Sequence, residues 1–335
     1  MADTLYIEEN YILRYNWVIM VNFWSSLKKP FFILAPMDDV TDIVFRDVVE
    51  KVYSPDVFFT EFVSVEGLSS KGRENVMRRL KRNNKSIKPL VAQIWGKNID
   101  YYFEVSKDIF KMGFDGIDIN MGCPERGIVR RGYCGGLIGQ YSEVAEIIKA
   151  TKKGAGDIPV SVKTRIGLDH IITNEWISFL LEQDLAAITI HARTVKEMSK
   201  VQAHWDEIKK VVELRDKLSP KTLIIGNGNI ESYSQGLELV NDTGVDGIMI
   251  GRGIFKNIFV FDPKKREHTP KDMINILLYH LDKYETESEY KSFQILKKFF
   301  KIYVNSFDGA NDLRVELMNT NSVEEVKNIL LDKYF

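Results

Sequence analysis

A short stretch near the middle of the chain places an amide, a glycine, a thiol and a proline directly after an apolar run. It reads Asn120-Met121-Gly122-Cys123-Pro124. An amide donates and accepts hydrogen bonds, which suits the edge of a planar heterocycle. A thiol can act as proton donor or nucleophile, with an acidity set by its surroundings. The stretch therefore predicts a strand that delivers chemistry at its end, and a packed, inert Cys123 is the alternative.

The elements that must position this stretch recur along the chain as eight short apolar runs, separated by polar stretches with helical spacing. Several runs lack apolar–polar alternation, which is typical of parallel strands buried on both faces. Eight such units predict an α/β protein with a TIM (β/α)8 barrel. A doubly wound open sheet is the alternative, but no GxGxxG motif follows the first run. The runs are Phe31–Pro36, Val57–Val63, Leu90–Trp95, Gly116–Asn120, Val160–Arg165, Ala187–His191, Thr222–Gly226 and Gly247–Ile250.

The active site of a barrel lies where its strands end, so the residues at the ends of the runs are the candidate site. Lys163 would be costly to bury without an anion, and it could stabilise negative charge on a bound heterocycle. The alternatives are a solvent-exposed Lys163 and a His191 packed in the core. No carboxylate joins the cysteine and the histidine in ligand spacing, so no metal site is expected. The candidates are Pro36, Met37, Gln93, Asn120, Cys123, Lys163, Arg165, His191, Asn227, Gly228, Gly251 and Arg252.

The last two runs end in glycine-rich tips, Gly226-Asn227-Gly228 and Gly251-Arg252-Gly253. Glycines let backbone N–H groups approach phosphate oxygens, and Arg252 can add a charge-assisted pair. The loops after strands seven and eight are a frequent phosphate site in barrels. The pair of tips therefore predicts a phosphate site, whereas Gly226-Asn227-Gly228 alone would equally suit a turn.

The composition is that of a soluble globular protein, with 335 residues of which 44% are hydrophobic and 28% charged. A net charge of −1 gives no global signal for nucleic acid or an anionic membrane. Two cysteines make no disulfide framework and favour a reducing cytoplasm. Residues 1–26 lack the features of a signal peptide and are predicted to form an extension of unknown role. Met20 is an alternative start of the protein. The apolar cluster Trp17–Trp24 is too short to span a bilayer.

The pattern changes near Pro263, after which only helical stretches follow. This change predicts a barrel over residues 27–262 and a small all-helical domain over 263–335. Twelve basic and twelve acidic residues balance in that domain, so its charge does not identify a partner. The helical stretches are Lys271–Glu285, Glu289–Asn305, Ala310–Met318 and Ser322–Lys333.

One further segment, Lys71–Lys88, is strongly basic, with eight lysines and arginines and the single acid Glu74. A solvated helix face is the ordinary interpretation of such a run. A contact with a nucleic-acid backbone is the functional alternative.

Taken in order, these elements resemble the tRNA-dihydrouridine synthases. The resemblance runs from about Phe31 to Pro263, its Asn-x-Gly-Cys-Pro element is quite specific, and the helical domain also fits. The motifs that carry it are Ala35-Pro36-Met37, Thr41-Asp42, Phe45-Arg46, Thr60-Glu61, Gln93 with Gly96, Asn120–Pro124, Lys163-Thr164-Arg165, His191-Ala192-Arg193-Thr194, Gly226-Asn227-Gly228 and Gly251-Arg252-Gly253.

The resemblance implies an FMN-bound barrel that reduces the 5,6 double bond of uridines in tRNA, with NADPH as reductant. It implies that hydride passes from the flavin to C6 and that Cys123 gives a proton to C5. Asn120 would hold the uracil edge and Arg165 the nucleotide. Partners would be tRNA but no membrane and no metal, and a monomer would suffice. The implied FMN contacts are Pro36, Met37, Gln93, Lys163 and His191 at the ring and Asn227, Gly228, Gly251 and Arg252 at the phosphate.

Two features depart from the pattern of that family. Asp38-Asp39 stands where small residues are usual, and Cys134 precedes Gly135-Gly136 in the loop after Cys123. Cys134 is a second candidate thiol, although its spacing does not match the acid. The rival hypotheses are an FMN barrel acting on a free pyrimidine, such as a dihydroorotate dehydrogenase, and an RNA-binding protein without catalysis. A free small substrate would need neither the helical domain nor the Lys71–Lys88 segment, which favours tRNA.

Overall fold

A computed structural model describes residues 22–82, 86, 88–288 and 291–335, and the alternative start Met20 lies outside them. All strand pairs in the described chain are parallel. The strands are β1 (Phe31–Leu34), β2 (Phe58–Phe59), β3 (Val63–Ser64), β4 (Leu90–Trp95), β5 (Gly116–Met121), β6 (Val160–Arg165), β7 (Ala187–His191), β8 (Leu223–Asn227) and β9 (Gly247–Ile250).

The sheet closes on itself as a TIM barrel. Its order is β1-β9-β8-β7-β6-β5-β4-β2, and β3 also pairs with β4. A parallel bridge between Ile33 and Val57 joins the two ends of this order. The prediction of a barrel rather than an open sheet is confirmed. The predicted run Val57–Val63 is two short strands, which flank Thr60 and Glu61.

Helices surround the barrel between its strands, since parallel neighbours need a crossover connection. The apolar faces of these helices are buried against the strands. Several helices follow a residue whose side chain caps their first turn, such as Asp42 before Ile43 and Asn98 before Ile99. The helices up to β9 are α1 (Phe23–Ser26), α2 (Ile43–Tyr53), α3 (Val65–Leu68), α4 (Arg73–Met77), α5 (Ile99–Lys111), α6 (Arg126–Arg130), α7 (Tyr141–Ala155), α8 (Thr173–Leu181), α9 (Trp205–Leu218) and α10 (Tyr233–Thr243), with 3-10 turns at Arg78–Leu80 and Cys134–Leu137.

The amino-terminal end of the barrel is filled by aromatic side chains. Trp24 of α1 is only 1% exposed and packs against Phe31 and the interior residues of the strands. A side chain at Gly247 would lie 2.3 Å from the Phe31 ring, so glycine is needed there. Within the predicted extension 1–26, Trp24 thus belongs to the barrel core and Phe23 packs against it.

We expect Trp24→Ala to lower the free energy of unfolding by about 3–5 kcal/mol, because it leaves a large cavity under the barrel. Trp24→Phe is the matched control, since the indole Nε1 has no hydrogen-bond partner among the described residues. Trp24→Phe should lower the free energy of unfolding clearly less than Trp24→Ala does. Denaturant titration measures both, and equal losses would contradict this role for the ring.

In the described part of the chain, only helices and turns follow β9, as predicted. They are α11 (Pro270–Glu287), α12 (Phe293–Leu296), α13 (Phe300–Tyr303), α14 (Ala310–Met318) and α15 (Val323–Tyr334), with 3-10 turns at Arg252–Phe255 and Lys297–Phe299.

The helical part packs on the barrel through α11 and α2. Tyr279 of α11 donates a hydrogen bond of 2.6 Å to the Asp47 carboxylate of α2. The apolar side chains of both helices belong to one continuous core. The predicted single helix Glu289–Asn305 is broken where the 3-10 turn separates α12 from α13, and residues 289–290 lie outside the described chain. Among the described residues, no helix is long and apolar enough to cross a membrane.

Candidate active site

Strands β5 to β8 carry polar side chains at their carboxyl ends on the inside of the barrel. Parallel register pairs Asn120 with Lys163, Arg165 with His191, and His191 with Asn227. Side chains alternate along a strand, so residues paired in this way share one face. The structure therefore brings these five predicted site residues together at one end of the barrel.

A buried polar network lies directly beneath them, and its centre is Asp118, a residue that the sequence analysis did not select. Its carboxylate accepts hydrogen bonds from Gln93 Nε2 at 2.7 Å and Ser161 Oγ at 2.6 Å. Burial raises the pKa of Asp118 to about 6, although these two hydrogen bonds and Lys163 oppose the shift. The signal in the sequence was an acid between Ile117 and Ile119, at an inward position of a buried strand.

Asn120 holds the loop that carries the thiol. Its Oδ1 accepts hydrogen bonds from the backbone N–H groups of Gly122 and Cys123, both at 3.0 Å. Its Nδ2 donates to Gln93 Oε1 at 3.0 Å, which links the loop to the buried network. Since an amide nitrogen has two hydrogens, one N–H of Asn120 is left for a ligand.

The Cys123 thiol is partly exposed, whereas Cys134 is fully buried beside it. A hydrogen bond from the Cys134 thiol lowers the pKa of Cys123 to about 7, with help from a backbone N–H at Glu125 and the charge of Arg165, against the effect of burial. The same hydrogen bond and burial raise the pKa of Cys134. Because Cys123 is the more exposed of the two thiols and has the charge of Arg165 beside it, it is the better placed acid.

Arg165 fixes two loops around the thiol, the one after β5 and the one after β7. Its Nε donates to the Gly122 carbonyl at 2.7 Å, and its Nη1 donates to the Thr194 and Met198 carbonyls at 3.0 and 2.9 Å. Burial and the charges of Arg193 and Arg252 lower its pKa to about 10, so it remains charged at neutral pH. Arg165 thus supplies positive potential next to Cys123 from a fixed position.

The floor of the site is cationic. Burial, with the charge of Arg165, lowers the pKa of Lys163 to about 8. Burial and four surrounding cations, Lys163 among them, hold the pKa of His191 well below its usual value, so its ring is neutral. Arg193 Nη1 lies 3.0 Å from His191 Nε2. Because a guanidinium only donates, Nε2 is the acceptor and the ring proton resides on Nδ1.

The two glycine-rich tips lie side by side, next to the end of β1. Asn227 Nδ2 donates to the Met249 carbonyl of β9 at 2.7 Å. Gly228 has a φ of +137°, and a side chain there would lie 3.4 Å from the His191 ring. A side chain on Gly251 would lie 3.9 Å from Met37 Sδ, and Ala35 N donates to the Ile250 carbonyl at 2.9 Å. The end of β1, with Met37, therefore lies beside the predicted phosphate tip at Gly251.

The basic segment Lys71–Lys88 is largely committed to carboxylates of the barrel. Its ion pairs join Arg73 to Asp108, Arg79 to Asp38, Asp39 and Glu61, Arg82 to Asp115, and Lys88 to Asp56. Its described helical part covers only residues 73–80, and residues 83–85 and 87 lie outside the described chain. Four of its basic residues therefore hold the segment to the barrel as an ion-paired strap, while Lys71 and Arg78 are exposed.

A buried charge network joins this strap to the helical part of the chain. Lys291 Nζ lies 2.9 Å from Asp42 Oδ2 and 3.2 Å from Glu61 Oε1, and its side chain is 4% exposed. Arg79 lies 3.3 Å from the same Glu61 oxygen, which also accepts the Asp39 N–H at 2.7 Å. The loop after β1, with its unusual acids, is thus tied to the segment before α12.

The fold and the site define a TIM-barrel protein with a thiol and a cationic floor at the carboxyl ends of its strands. The chain belongs to the dihydrouridine synthase family, since the family model described as "Dihydrouridine synthase (Dus)" matches residues 33–335.

Curated relatives support this assignment over nearly the whole chain. A "Probable tRNA-dihydrouridine synthase" of Staphylococcus aureus (strain COL) is 49% identical over 93% of this chain and 95% of its own length. "Probable tRNA-dihydrouridine synthase 2" of Bacillus subtilis (strain 168) is 45% identical, with 93% and 96% covered. A structure titled as a variant of NCR from Zymomonas mobilis is 14% identical, with a TM-score of 0.44 over 68% of this chain and 83% of that one, and is too dissimilar to bear on function. The alternative of a free-pyrimidine barrel is not favoured.

Proposed function

We propose that this protein is an oxidoreductase that reduces the 5,6 double bond of uridines in tRNA to dihydrouridine. Membership of the dihydrouridine synthase family supports this, as do the names of relatives that are 45–49% identical. The reaction needs a hydride for one carbon of the uracil and a proton for the other. The site offers a proton donor, but no side chain that could supply a hydride, so a cofactor must provide it.

The observation that carries the proposal is the excess of positive charge at the site floor. Lys163, Arg165, Arg193 and Arg252 surround a neutral His191, and each lowers its pKa. Arg165 and Arg193 are buried and Lys163 is half-buried, and Asp118 and Glu197 offset only part of this charge, so the floor favours an anionic ligand. FMN fits, because its phosphate is anionic and its ring becomes anionic on reduction; when bound, it supplies the hydride for C6.

We divide the candidate site residues into those that contact the FMN ring and those that bind the FMN phosphate. We assign Pro36 and Met37 to packing along the FMN ring. Gln93, Lys163 and His191 are assigned to its polar edge, where Lys163 stabilises negative charge. Asn227, Gly228, Gly251 and Arg252 are assigned to the FMN phosphate, which glycine tips and a guanidinium bind well.

Cys123 gives its proton to C5 of the uracil. The uridine has to leave its stack in the RNA to enter the barrel mouth. A thiol with a pKa of about 7 is well matched to general acid catalysis near neutral pH. Arg165, held by three carbonyls, stabilises the thiolate that remains. Asn120 orients the thiol loop and keeps one N–H for the uracil edge.

The wider assignments follow from this reaction. Residues 263–335 form the tRNA-binding domain, which the charge network at Lys291 ties to the barrel. NADPH is the reductant, no metal takes part, and a monomer in the cytoplasm suffices. Because the strap Lys71–Lys88 is largely ion-paired, it contributes to RNA binding mainly by holding these parts together.

The cellular test compares tRNA from cells with the gene, without it, and with the gene restored. We expect dihydrouridine to vanish at one or more positions and to return on complementation, as read by mass spectrometry of tRNA fragments. An identical dihydrouridine pattern in all three strains would contradict the proposed function.

We expect Arg252→Ala to weaken FMN binding by about tenfold to a hundredfold, because it removes a charged hydrogen-bond partner of the phosphate. The visible absorbance of the protein after dialysis measures FMN retention. Lys149→Ala, an exposed change on α7, is the control and should retain FMN like the wild type. If Arg252→Ala retained as much FMN as the wild type, the phosphate could not be assigned to the loops after β8 and β9.

A further inference from the structure

The loop after β5, residues 123–135, is closed on itself at the carboxyl end of the barrel. Gly135 N donates to the Cys123 carbonyl at 3.3 Å, so the loop returns to the residue from which it starts. It carries three arginines with exposed side chains, which are Arg126, Arg130 and Arg131. Because the backbone closes this loop beside the proposed acid, its arginines are held near the place that the target base must reach.

The single acid of this loop is bound by the loop's own backbone. Glu125 caps α6, and its carboxylate accepts the N–H groups of Gly127 and Ile128 at 3.0 and 2.7 Å. Neither Arg126 nor Arg130 forms an ion pair within the part of the chain that the structure describes. These two guanidinium groups are therefore available to an anion from solution, in contrast to the ion-paired arginines of the Lys71–Lys88 strap.

The third arginine is held against aromatic rings. Arg131 Nε donates to the Gly127 carbonyl at 3.1 Å, and its guanidinium carbon lies 5.7 Å from the centre of the Tyr133 ring. Tyr133 in turn meets Trp95, at the end of β4, edge to face with 5.7 Å between ring centres. Both rings are half-buried. The loop thus combines a fixed cation with aromatic surface, a combination that suits a nucleic-acid strand.

The loop after β7, residues 192–204, lies directly beside the first loop. A side chain at Gly135 would lie 2.8 Å from Val195, so the two loops are in contact. Arg165 donates hydrogen bonds to carbonyl groups in both connections, one after β5 and two after β7. These contacts fix the two loops relative to each other.

The charges of the second loop follow the same pattern as those of the first. Its exposed cations are Lys196 and Lys200, and among the described residues neither forms an ion pair. Its single acid, Glu197, accepts the Thr194 N–H at 2.8 Å and lies 2.9 Å from His204 Nε2. In both loops, internal contacts occupy the acid and leave the cations exposed.

We propose that the two loops form a basic rim that binds the phosphates of the RNA strand on either side of the target uridine. A base that leaves its stack to enter the barrel brings its neighbouring phosphates to the edge of the site. Guanidinium and ammonium groups bind phosphate oxygens and position a strand without reading its sequence. This inference rests on the proposed function for the identity of the RNA. The rim consists of Arg126, Arg130, Arg131, Lys196 and Lys200.

The test compares the loss of two charges at each end of the barrel. Arg126→Gln/Arg130→Gln removes two cations of the rim. Lys217→Gln/Lys221→Gln is the matched control, since these exposed lysines lie at the end of α9 and before β8, at the amino-terminal end of the barrel. The FMN-loaded proteins are titrated with tRNA that lacks dihydrouridine, from about 50 to about 200 mM salt.

We expect the slope of log Kd against log salt concentration to fall by about 1.5 in Arg126→Gln/Arg130→Gln, since each phosphate contact contributes roughly 0.7–0.9. Lys196→Gln/Lys200→Gln tests the second loop and should lower the slope by a similar amount. The control should keep the wild-type slope, and all variants should retain FMN like the wild type. A wild-type slope in either rim variant would overturn the inference, as would an equal loss in the control.

Binding needs no reductant, so the rim and the proposed function can fail separately. If the rim variants lost the expected slope while the wild type made no dihydrouridine, the proposed function alone would fail. If the wild type made dihydrouridine and the rim variants bound tRNA as it does, this inference alone would fail.

Discussion

Cys123→Ala should still bind FMN and tRNA but form dihydrouridine about a hundred to ten thousand times more slowly, the range expected for loss of a positioned general acid. The alanine cannot protonate C5, while the cationic floor and the phosphate tips stay intact. Single-turnover formation of dihydrouridine by the reduced enzyme measures the effect without interference from the reductive half-reaction.

Cys134→Ser is the matched control for this variant. It alters the neighbouring thiol but leaves the acid in place, so its loss of rate should be far smaller. Normal turnover in Cys123→Ala would transfer the acid role to another group and would remove the basis for the proposed mechanism.

Lys291→Met should lower the free energy of unfolding by about 2–3 kcal/mol, because it removes the cation between two buried carboxylates and leaves Glu61 with Arg79 alone. Lys291 neutralises Glu61, which is fully buried, and Asp42, which caps α2. Lys301→Met, at an exposed position of α13, should change stability by less than about 0.5 kcal/mol. Denaturant titration compares the two variants, and equal stabilities would contradict a structural role for the network.

The pH dependence of this effect has a definite sign. Burial raises the pKa of Glu61 even in the intact network, where Lys291 opposes the shift. Removal of Lys291 raises it further, so the folded variant binds a proton more readily than its unfolded chain does. The deficit of Lys291→Met should therefore shrink as pH falls from 8 toward 5, since protonation of Glu61 removes a buried charge that has lost one of its two cationic partners. If the stability difference between Lys291→Met and the wild type grew on acidification, Glu61 would not be the buried charge that destabilises the variant.

The barrel could be predicted from sequence because its strands are apolar runs buried on both faces, and because eight of them recur in order. The grouping of the candidate residues could be predicted for a related reason: Gln93, Lys163, His191 and Asn227 each lie at or near the end of a run, and closure brings these ends together. Only the closed sheet, with its bridge between Ile33 and Val57, turns this succession into a ring of neighbouring strand ends.

The features that could not be predicted depend on contacts between distant positions. Asp118 looked like the polar member of an ordinary alternation, and only its inward direction makes it the centre of a buried network. Arg79 pairs with acids 41 and 18 positions away, and Lys291 pairs with Glu61 across 230 positions. Local charge patterns contain no such partners, so the Lys71–Lys88 segment resembled a free basic face. The thiol pair likewise needs the loop to turn back through a positive φ at Cys134.

One measurement tests the central claim most directly: a single turnover of the FMN-loaded, chemically reduced protein with tRNA that lacks dihydrouridine. Flavin absorbance and the dihydrouridine content of the tRNA are followed in the same sample. The account predicts that the flavin is reoxidised on mixing with tRNA, in the absence of oxygen, and that each flavin reoxidised yields one dihydrouridine. Reduced flavin that stays reduced in the presence of this tRNA, or a purified protein that binds no flavin, would contradict it.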